Sequence, residues 1–228
     1  MIMAHLRRYN IPVYWNVPRK ERTFVIRPRS GPHPLKASIP ILVVLRDILK
    51  LAETSQEAKS AIKKGAVLVD KKERKDPNFP VGLMDLVEIP AVKKAYRVTV
   101  NKRGLVLDEV KDAEDTKLCK IRNKVIVTGG KTQLNLHDGR NVLVENGKDY
   151  KPNDSVVIKL PEQKILKHIK FEKGSHCLII SGKNIGMTGE IKEITGRKTM
   201  FETNMLILQT KDREIETVRD YVLVGEFK

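Results

Sequence analysis

ILVVLRDILKLAETSQEAKSAIKKGAVLVD, residues 41–70, sets the reading of the whole chain. Its first part, Ile41–Ala52, is apolar nearly all round, with Arg46, Asp47 and Lys50 as a narrow polar stripe. That pattern predicts a buried helix, since positions i, i+1 and i+4 share one helical face. Thr54-Ser55-Gln56-Glu57 follows as a capping box, a hydroxyl and a carboxylate for the open amides of a new helix. This second helix runs Ser55–Lys64, with Ala58, Ala61 and Ile62 at i, i+3 and i+4 and with Lys59 and Lys63 four apart on the other side. Gly65 ends it, because glycine best tolerates the left-handed conformation past a helix end. Ala66–Val69 then alternates as a short strand, Lys71, Lys72, Arg74 and Lys75 form a basic turn, and Leu83–Ile89 is a second strand.

Two short helices followed by a small sheet resemble the S-four RNA-binding domain. The likeness reaches single residues: Leu45-Arg46-Asp47 in the first helix, then A-K-x-x-I-x-x-G-x-V-x-V-D over Ala58–Asp70. It implies RNA contacts from Arg46, Lys59, Lys63 and Lys64, and the basic turn Lys71, Lys72, Arg74, Lys75 is a further candidate.

Charge points the same way. Of 228 residues, 44 are Lys or Arg and 28 Asp or Glu, a net charge of +16 with a pI near 9.8. A surface so basic attracts phosphate backbones and gains free energy from released counterions. Residues 1–36 hold eight basic side chains against one acid, Glu21; residues 174–228 balance to zero. The N-terminal segment also carries Pro12, Pro18, Pro28, Pro32 and Pro34 and has no sustained period. Proline removes backbone donors, so the stretch reads as an extended arm that becomes ordered against a partner. Tyr9, Tyr14, Trp15 and Phe24 interleave with its cations, as stacking on RNA would require. The competing reading has those aromatics packed on the next domain.

From Tyr96 to Glu172 the chain reads as β-rich. Arg97–Val100, Leu105–Leu107, Lys124–Val127, Asn141–Val144 and Ser155–Lys159 are short β-branched runs between Gly, Asn and Asp turns, suggesting a small barrel or sandwich. His176–Ile180 begins a last segment, followed by Gly182-Lys183-Asn184-Ile185-Gly186-Met187-Thr188-Gly189 and an Ile-rich strand. That succession resembles the KOW motif of small β-barrels.

Little in the sequence suggests catalysis. Gly129-Gly130-Lys131-Thr132 looks like the end of a phosphate-binding loop, yet Val125 stands where the motif needs its first glycine, and strand-and-turn residues follow instead of a helix. His137-Asp138 shares no ligand spacing with His5, His33, His168 or His176. Cys119 and Cys177 lie far apart without a CxxC, which argues against both a zinc site and a disulfide framework and for a reducing compartment. S-four domains also accompany RNA-modifying enzymes, but those need a large catalytic domain for which the remaining segments are too short. A free regulatory RNA-binding protein is the other alternative; a long basic arm suits a permanently bound component better. No apolar run approaches the roughly 20 residues of a membrane span, and the N-terminus lacks the apolar core of a secretory signal.

Taken in order, HLRR, PRKE and GPHP in the arm, IPILVVLRDIL, RKDPNFPVGLMDLVEIP, GGKTQLNLHDGRN, KLPEQKIL and GKNIGMTGEIKEI resemble one family from about His5 to Val224. It is the small-subunit ribosomal protein S-four-e family of archaea and eukaryotes, and the ending soon after the KOW-like segment suggests the archaeal branch. The resemblance implies a mostly β, α+β chain in four parts: a basic extended arm (1–38), an S-four-like RNA-binding domain (39–93), a central small β domain (94–173) and a KOW-like SH3-type β-barrel (174–228). It implies a structural, cytoplasmic component of the small ribosomal subunit that supports assembly and translation. The expected partners are small-subunit ribosomal RNA and neighbouring ribosomal proteins, without cofactor, metal, membrane or small-molecule substrate. The implied RNA-binding residues are His5, Arg7, Arg8, Arg19, Lys20, Arg22, Arg27, Arg29 and His33 of the arm, with the S-four-like set above. Lys131, His137, Arg140 and Asn141 of the central loop follow, and then Lys183 and Asn184, whose neutral segment also leaves room for a protein-facing role.

Overall fold

The computed structural model describes residues 6–110, 115–127, 129–196, 203–210 and 213–227. The chain divides into two compact units, one of residues 1–99 with 103–115, the other of residues 100–102 with 116–228.

In the first unit the expected helix over Ile41–Ala52 is shorter and more widely wound. Helix α1 covers Ile41–Val43, and Val44–Ile48 continue it as a π-turn closed by Leu49 N donating to Val44 O at 2.9 Å. Lys50 then reverses the chain at φ 53°. Helix α2, Ser55–Lys63, starts as its sequence dictates: the Thr54 hydroxyl accepts from Glu57 N at 3.2 Å, while the Glu57 carboxylate reaches Glu53 N at 3.1 Å. It ends in a Schellman arrangement, with Gly65 N donating to Ile62 O, Ala66 N to Ala61 O, and Gly65 at φ 80°.

The strands of this unit are β1 (Leu6–Arg7), β2 (Phe24–Val25), β3 (Ser38–Pro40), β4 (Leu68–Val69), β5 (Lys72–Glu73), β6 (Pro80–Gly82), β7 (Leu86–Ile89), β8 (Lys94–Asn101) and β9 (Gly104–Val110). Strands β4 and β5 form a tight hairpin whose two turn residues, Asp70 and Lys71, both have positive φ, the geometry that matches strand twist. The run expected as one strand over Leu83–Ile89 is shortened: Met84 turns at φ 64°, only β7 joins the main sheet, in the order β5-β4-β7-β8-β9, and β6, just before the run, pairs with β3. The hairpin β8–β9, which the sequence pattern assigns to the central β domain, therefore extends the S-four-like sheet.

The N-terminal segment is packed, not extended. Strands β1 and β2 pair with Arg7 opposite Phe24, Trp15 is fully buried, and Ile11, Val17 and Val25 are buried with it. Three-residue 3-10 turns, Arg8–Asn10, Val13–Trp15 and Leu35–Ala37, carry the chain where its prolines forbid longer elements. The apolar gain from Trp15 and its neighbours outweighs the lack of regular hydrogen bonding.

The second unit holds two five-stranded antiparallel sheets. One comprises β10 (Thr116–Ile126), β11 (Thr132–Leu136), β12 (Asn141–Val144), β13 (Ser155–Lys159) and β14 (Lys164–Ile169) in the order β12-β11-β10-β13-β14. Its inward residues Cys119, Ile121, Leu134, Leu136, Val156, Ile158 and Leu160 form one core. The other comprises β15 (His176–Ile179), β16 (Thr188–Thr195), β17 (Met205–Gln209), β18 (Glu214–Val218) and β19 (Val222–Val224) in the order β18-β17-β16-β15-β19, over a core of Cys177, Ile179, Ile191, Leu206, Leu208, Ile215, Val222 and Val224. Lys120 ties the two sheets: its ammonium donates to the carbonyls of Arg219 (3.4 Å), Asp220 (2.8 Å) and Val222 (2.8 Å).

Candidate functional site

Helix α2 buries Ala58 and Ile62 and leaves Lys59, Lys63 and Lys64 exposed, so the i, i+4 pair lies on the solvent face as its spacing requires. The same unit exposes Arg7, Lys20, Arg22, Arg27 and Arg29 along the N-terminal segment and Lys72 and Lys75 on the basic turn. Several are positioned by backbone contacts. Arg22 donates to Glu53 O at 3.4 Å beside the start of α2, and the Arg27 carbonyl accepts from the Asn78 amide at 2.8 Å. Arg29 bridges to Asp76 at 3.3 Å, while half-buried Arg19 donates to Ile11 O. Tyr9 and Phe24 stand exposed among these cations, whereas Trp15 and Tyr14 are turned inward; the Tyr14 hydroxyl donates to Leu35 O.

Three of the anticipated contacts lie inside the unit. Arg8 is fully buried and bridges to Asp47 at 3.1 Å; Asp47 also receives Arg46 at 2.7 Å, and Arg46 donates to the Ser55 hydroxyl. His33 is buried against Asp85. A buried charge is retained only when paired, and these pairs join the N-terminal segment, α1 and α2 into one block. Lys71 and Arg74 are half-buried. Burial works against the Lys71 ammonium, but hydrogen bonds to Asp115 (2.8 Å) and Glu88 (2.7 Å) outweigh it and raise its pKa. Arg74 lies 4.3 Å over the Phe79 ring. His5 lies outside the described residues.

In the second unit Lys131 and Asn141 are exposed. Lys131 follows Gly129 and Gly130, both at positive φ, in the β10–β11 hairpin turn rather than at a helix start, which removes the phosphate-loop likeness. His137 is buried, its Nδ1 accepting from Lys120 N at 3.2 Å. Arg140 bridges to buried Asp138 at 3.1 Å, and Lys117, itself buried, reaches the same carboxylate at 3.0 Å. Burial opposes the Asp138 charge, yet Lys117, His137 and Arg140 hold its pKa below the ordinary carboxylate value. Lys183 is exposed, and the half-buried Asn184 carbonyl accepts from Arg213 at 3.5 Å.

Sequence reasoning missed a row of amides on the outer face of β10–β12. Gln133 Nε2 donates to Asn135 Oδ1 and Asn135 Nδ2 to Asn123 Oδ1, each at 2.7 Å. The alternation Gln133-Leu134-Asn135-Leu136 was the available signal, with both leucines buried beneath. Among the described residues no group of three His, Cys, Asp or Glu could hold a metal ion, and both cysteines are buried, with Cys177 pushed up to about 12 by its desolvation. What this arrangement offers chemically is clusters of exposed cations on short, rigid elements, suited to phosphate oxygens.

Comparison with known proteins gives three family matches: the RS4NT (NUC023) domain over residues 3–36, the S4 domain over residues 40–87, and Ribosomal family S4e over residues 92–165. The small ribosomal subunit protein eS4 of Methanocaldococcus jannaschii is 42% identical over 96% of this chain and 93% of that protein. Its counterpart from Archaeoglobus fulgidus is 43% identical over 98% of this chain and 94% of that protein. Among solved structures, the 30S ribosomal protein S4e of Thermoplasma acidophilum superposes with a TM-score of 0.70 at 32% identity, covering 82% of this chain and 94% of that one.

Proposed function

Since the chain belongs to the ribosomal S4e family, we propose that it is a structural constituent of the small ribosomal subunit, binding and stabilising small-subunit ribosomal RNA during assembly and translation. It is not an enzyme: the family's members are ribosomal structural proteins. It resides in the cytoplasmic ribosome, and no helix among the described residues is long and apolar enough to cross a membrane.

The observation that carries the RNA-binding surface is α2. Lys59, Lys63 and Lys64 are exposed on the helix whose other face is buried by Ala58 and Ile62, and Arg22 of the N-terminal segment is held beside its start. Lys59, Lys63, Lys64, Arg7, Lys20, Arg22, Arg27 and Arg29 form the principal phosphate-contacting set, with Tyr9 and Phe24 available for stacking. Lys72 and Lys75 contribute further cations in the first unit, Lys131 is a separate exposed cation of the second, and Lys183 is the outlier in an electrically neutral segment. The buried Arg8, His33 and Arg46 of the first unit support this surface from within. The C-terminal segment is an SH3-type barrel of the KOW kind, a reading supported by its strand order and by the 3-10 turn Arg219–Tyr221 before the last strand.

Sucrose-gradient sedimentation of a lysate tests the assignment. The protein should travel with the small subunit at near one copy per particle and stay there at high salt. Recovery in light fractions only, or loss at moderate salt, overturns it.

A further inference from the structure

Six residues share the exposed side of β10–β12. Register places Asn141, Asn135 and Asn123 in one row across the three strands and Leu143, Gln133 and Val125 in the next. Leu143 is 59% exposed and Val125 47% exposed, so apolar surface frames the amides. None of the six is charged. Arg122, the extra residue of the β-bulge beside Asn123, is exposed, and so is Lys131, two positions before Gln133.

The hydrogen-bonded chain has a direction. Gln133 donates to Asn135 and Asn135 to Asn123, which leaves the Asn123 NH2 pair as donors at one end and the Gln133 carbonyl as an acceptor at the other. Such chains polarise their members, so both terminal groups are better partners than isolated amides. Amides can donate to phosphate oxygens, but these six positions supply no counter-charge to a phosphate and set acceptors as well as donors on the surface. Base edges need donors and acceptors side by side on a neutral surface, the pattern by which Asn and Gln read nucleobases. Unpaired bases also offer flat apolar faces to Leu143 and Val125, while Arg122 and Lys131 on the borders favour a polyanion over a basic or neutral protein.

We infer that this face is a second RNA-contact surface, one that reads the edges of unpaired bases through the Asn123–Asn135–Gln133 amides. The inference rests on the RNA-binding reading above and adds to it a base-specific mode of contact in a different part of the chain.

The test uses the full-length protein with deproteinised small-subunit ribosomal RNA from the same cells. The double variant N123A/Q133A and the single variant N123A, which removes the terminal donor pair without adding charge, are compared with wild type and with K131A. Thermal unfolding of both amide variants should match wild type, because the positions are exposed or half-exposed. Each should weaken binding by about ten-fold without changing the dependence of log K on log salt, whereas K131A should reduce that slope by about one. Dimethyl sulfate footprinting should show adenines or cytosines protected by wild type and released by N123A. Undiminished affinity and an unchanged footprint overturn the inference, as does a slope change equal to that of K131A, which would mark a phosphate contact. A benzophenone amino acid at position 125 in assembled subunits should crosslink to RNA; a crosslink to protein instead overturns it. These outcomes all presuppose that wild type binds the RNA. Failure of wild type to bind would defeat the broader reading, while normal wild-type binding with silent variants defeats only this one.

Discussion

His33 Nε2 lies 3.0 Å from both carboxylate oxygens of Asp85, and the same carboxylate accepts from Gly82 N at 2.9 Å. The pair pins the end of the N-terminal segment onto the loop between β6 and β7. A Cβ at Gly82 would lie 2.4 Å from the imidazole ring, so glycine is required for the approach. Replacing His33 by Ala strips a buried carboxylate of its principal partner and should lower the unfolding free energy of the first unit by about 3 kcal/mol. G82A should be destabilising for a steric reason. Urea unfolding followed by Trp15 fluorescence measures both, and an H33A protein of wild-type stability that fails only in RNA binding would return His33 to the surface.

Lys120 sets up a pH dependence in the second unit. Burial is the main cause that lowers its pKa from 10.5 to about 8, against the attraction of Asp220. Between pH 8 and 10.5 the folded protein has released this proton while the unfolded chain still holds it. Unfolding therefore takes up a proton, and the contribution of Lys120 to stability rises with pH across that window. Relative to K120M, which lacks the titrating group, wild type should gain stability from pH 7.5 to 10.5. Thermal melts at both pH values decide it; a constant gap between the two proteins would mean the lysine keeps its ordinary pKa.

The helix ends were legible from the sequence because they are local. The Thr54 cap needs only Glu57, and the Gly65 stop needs only the preceding turn. Composition reads the first segment as an extended arm, whereas Arg8 and Trp15 are buried, and the partner of Arg8, Asp47, is 39 positions away. The sequence pattern shows only the end of β10, over Lys124–Val127, because Lys117 and Lys120 interrupt the apolar alternation. Both are buried, one on Asp138 and one on three carbonyls, a pairing that strand periodicity cannot reveal. Among candidate site residues, spacing placed Lys59 and Lys63 correctly on a solvent face, whereas residue type alone could not separate exposed Arg7 from buried Arg8.

Asp138 follows the same direction as Lys120, its contribution growing as pH rises, but in the acid range. Its folded pKa lies below 3.8, so its stabilisation is complete above that value and fades as pH falls through the folded pKa. Changing it to Asn removes the carboxylate that buried Lys117 faces at 3.0 Å, at about 3 kcal/mol near neutrality. The gap between D138N and wild type should narrow as acid protonates the wild-type carboxyl. Chemical unfolding at pH 7 and pH 3 gives the comparison, and an equal gap at both would place the effect in hydrogen bonding rather than charge.

The packed N-terminal segment changes how the phosphate-binding surface is tested. Deleting residues 1–36 would remove Trp15 and Arg8 from the core, so lost RNA affinity could follow from unfolding alone. Exposed side chains avoid that ambiguity. Lys59 and Lys63 on α2 are both exposed, and no salt-bridge partner is formed by either among the described residues. Changing both to Glu should leave the melting temperature within about two degrees, since surface substitutions of this kind shift stability by only about 0.5 kcal/mol. Two lost phosphate contacts should lower the salt slope of RNA binding by about two and, with carboxylates now facing the backbone, cut affinity at least ten-fold at low salt. Filter binding over a salt series separates the cases. A fall in affinity with an unchanged slope would mean that the helix contributes shape rather than charge, and a large drop in melting temperature would place the lysines in a structural role.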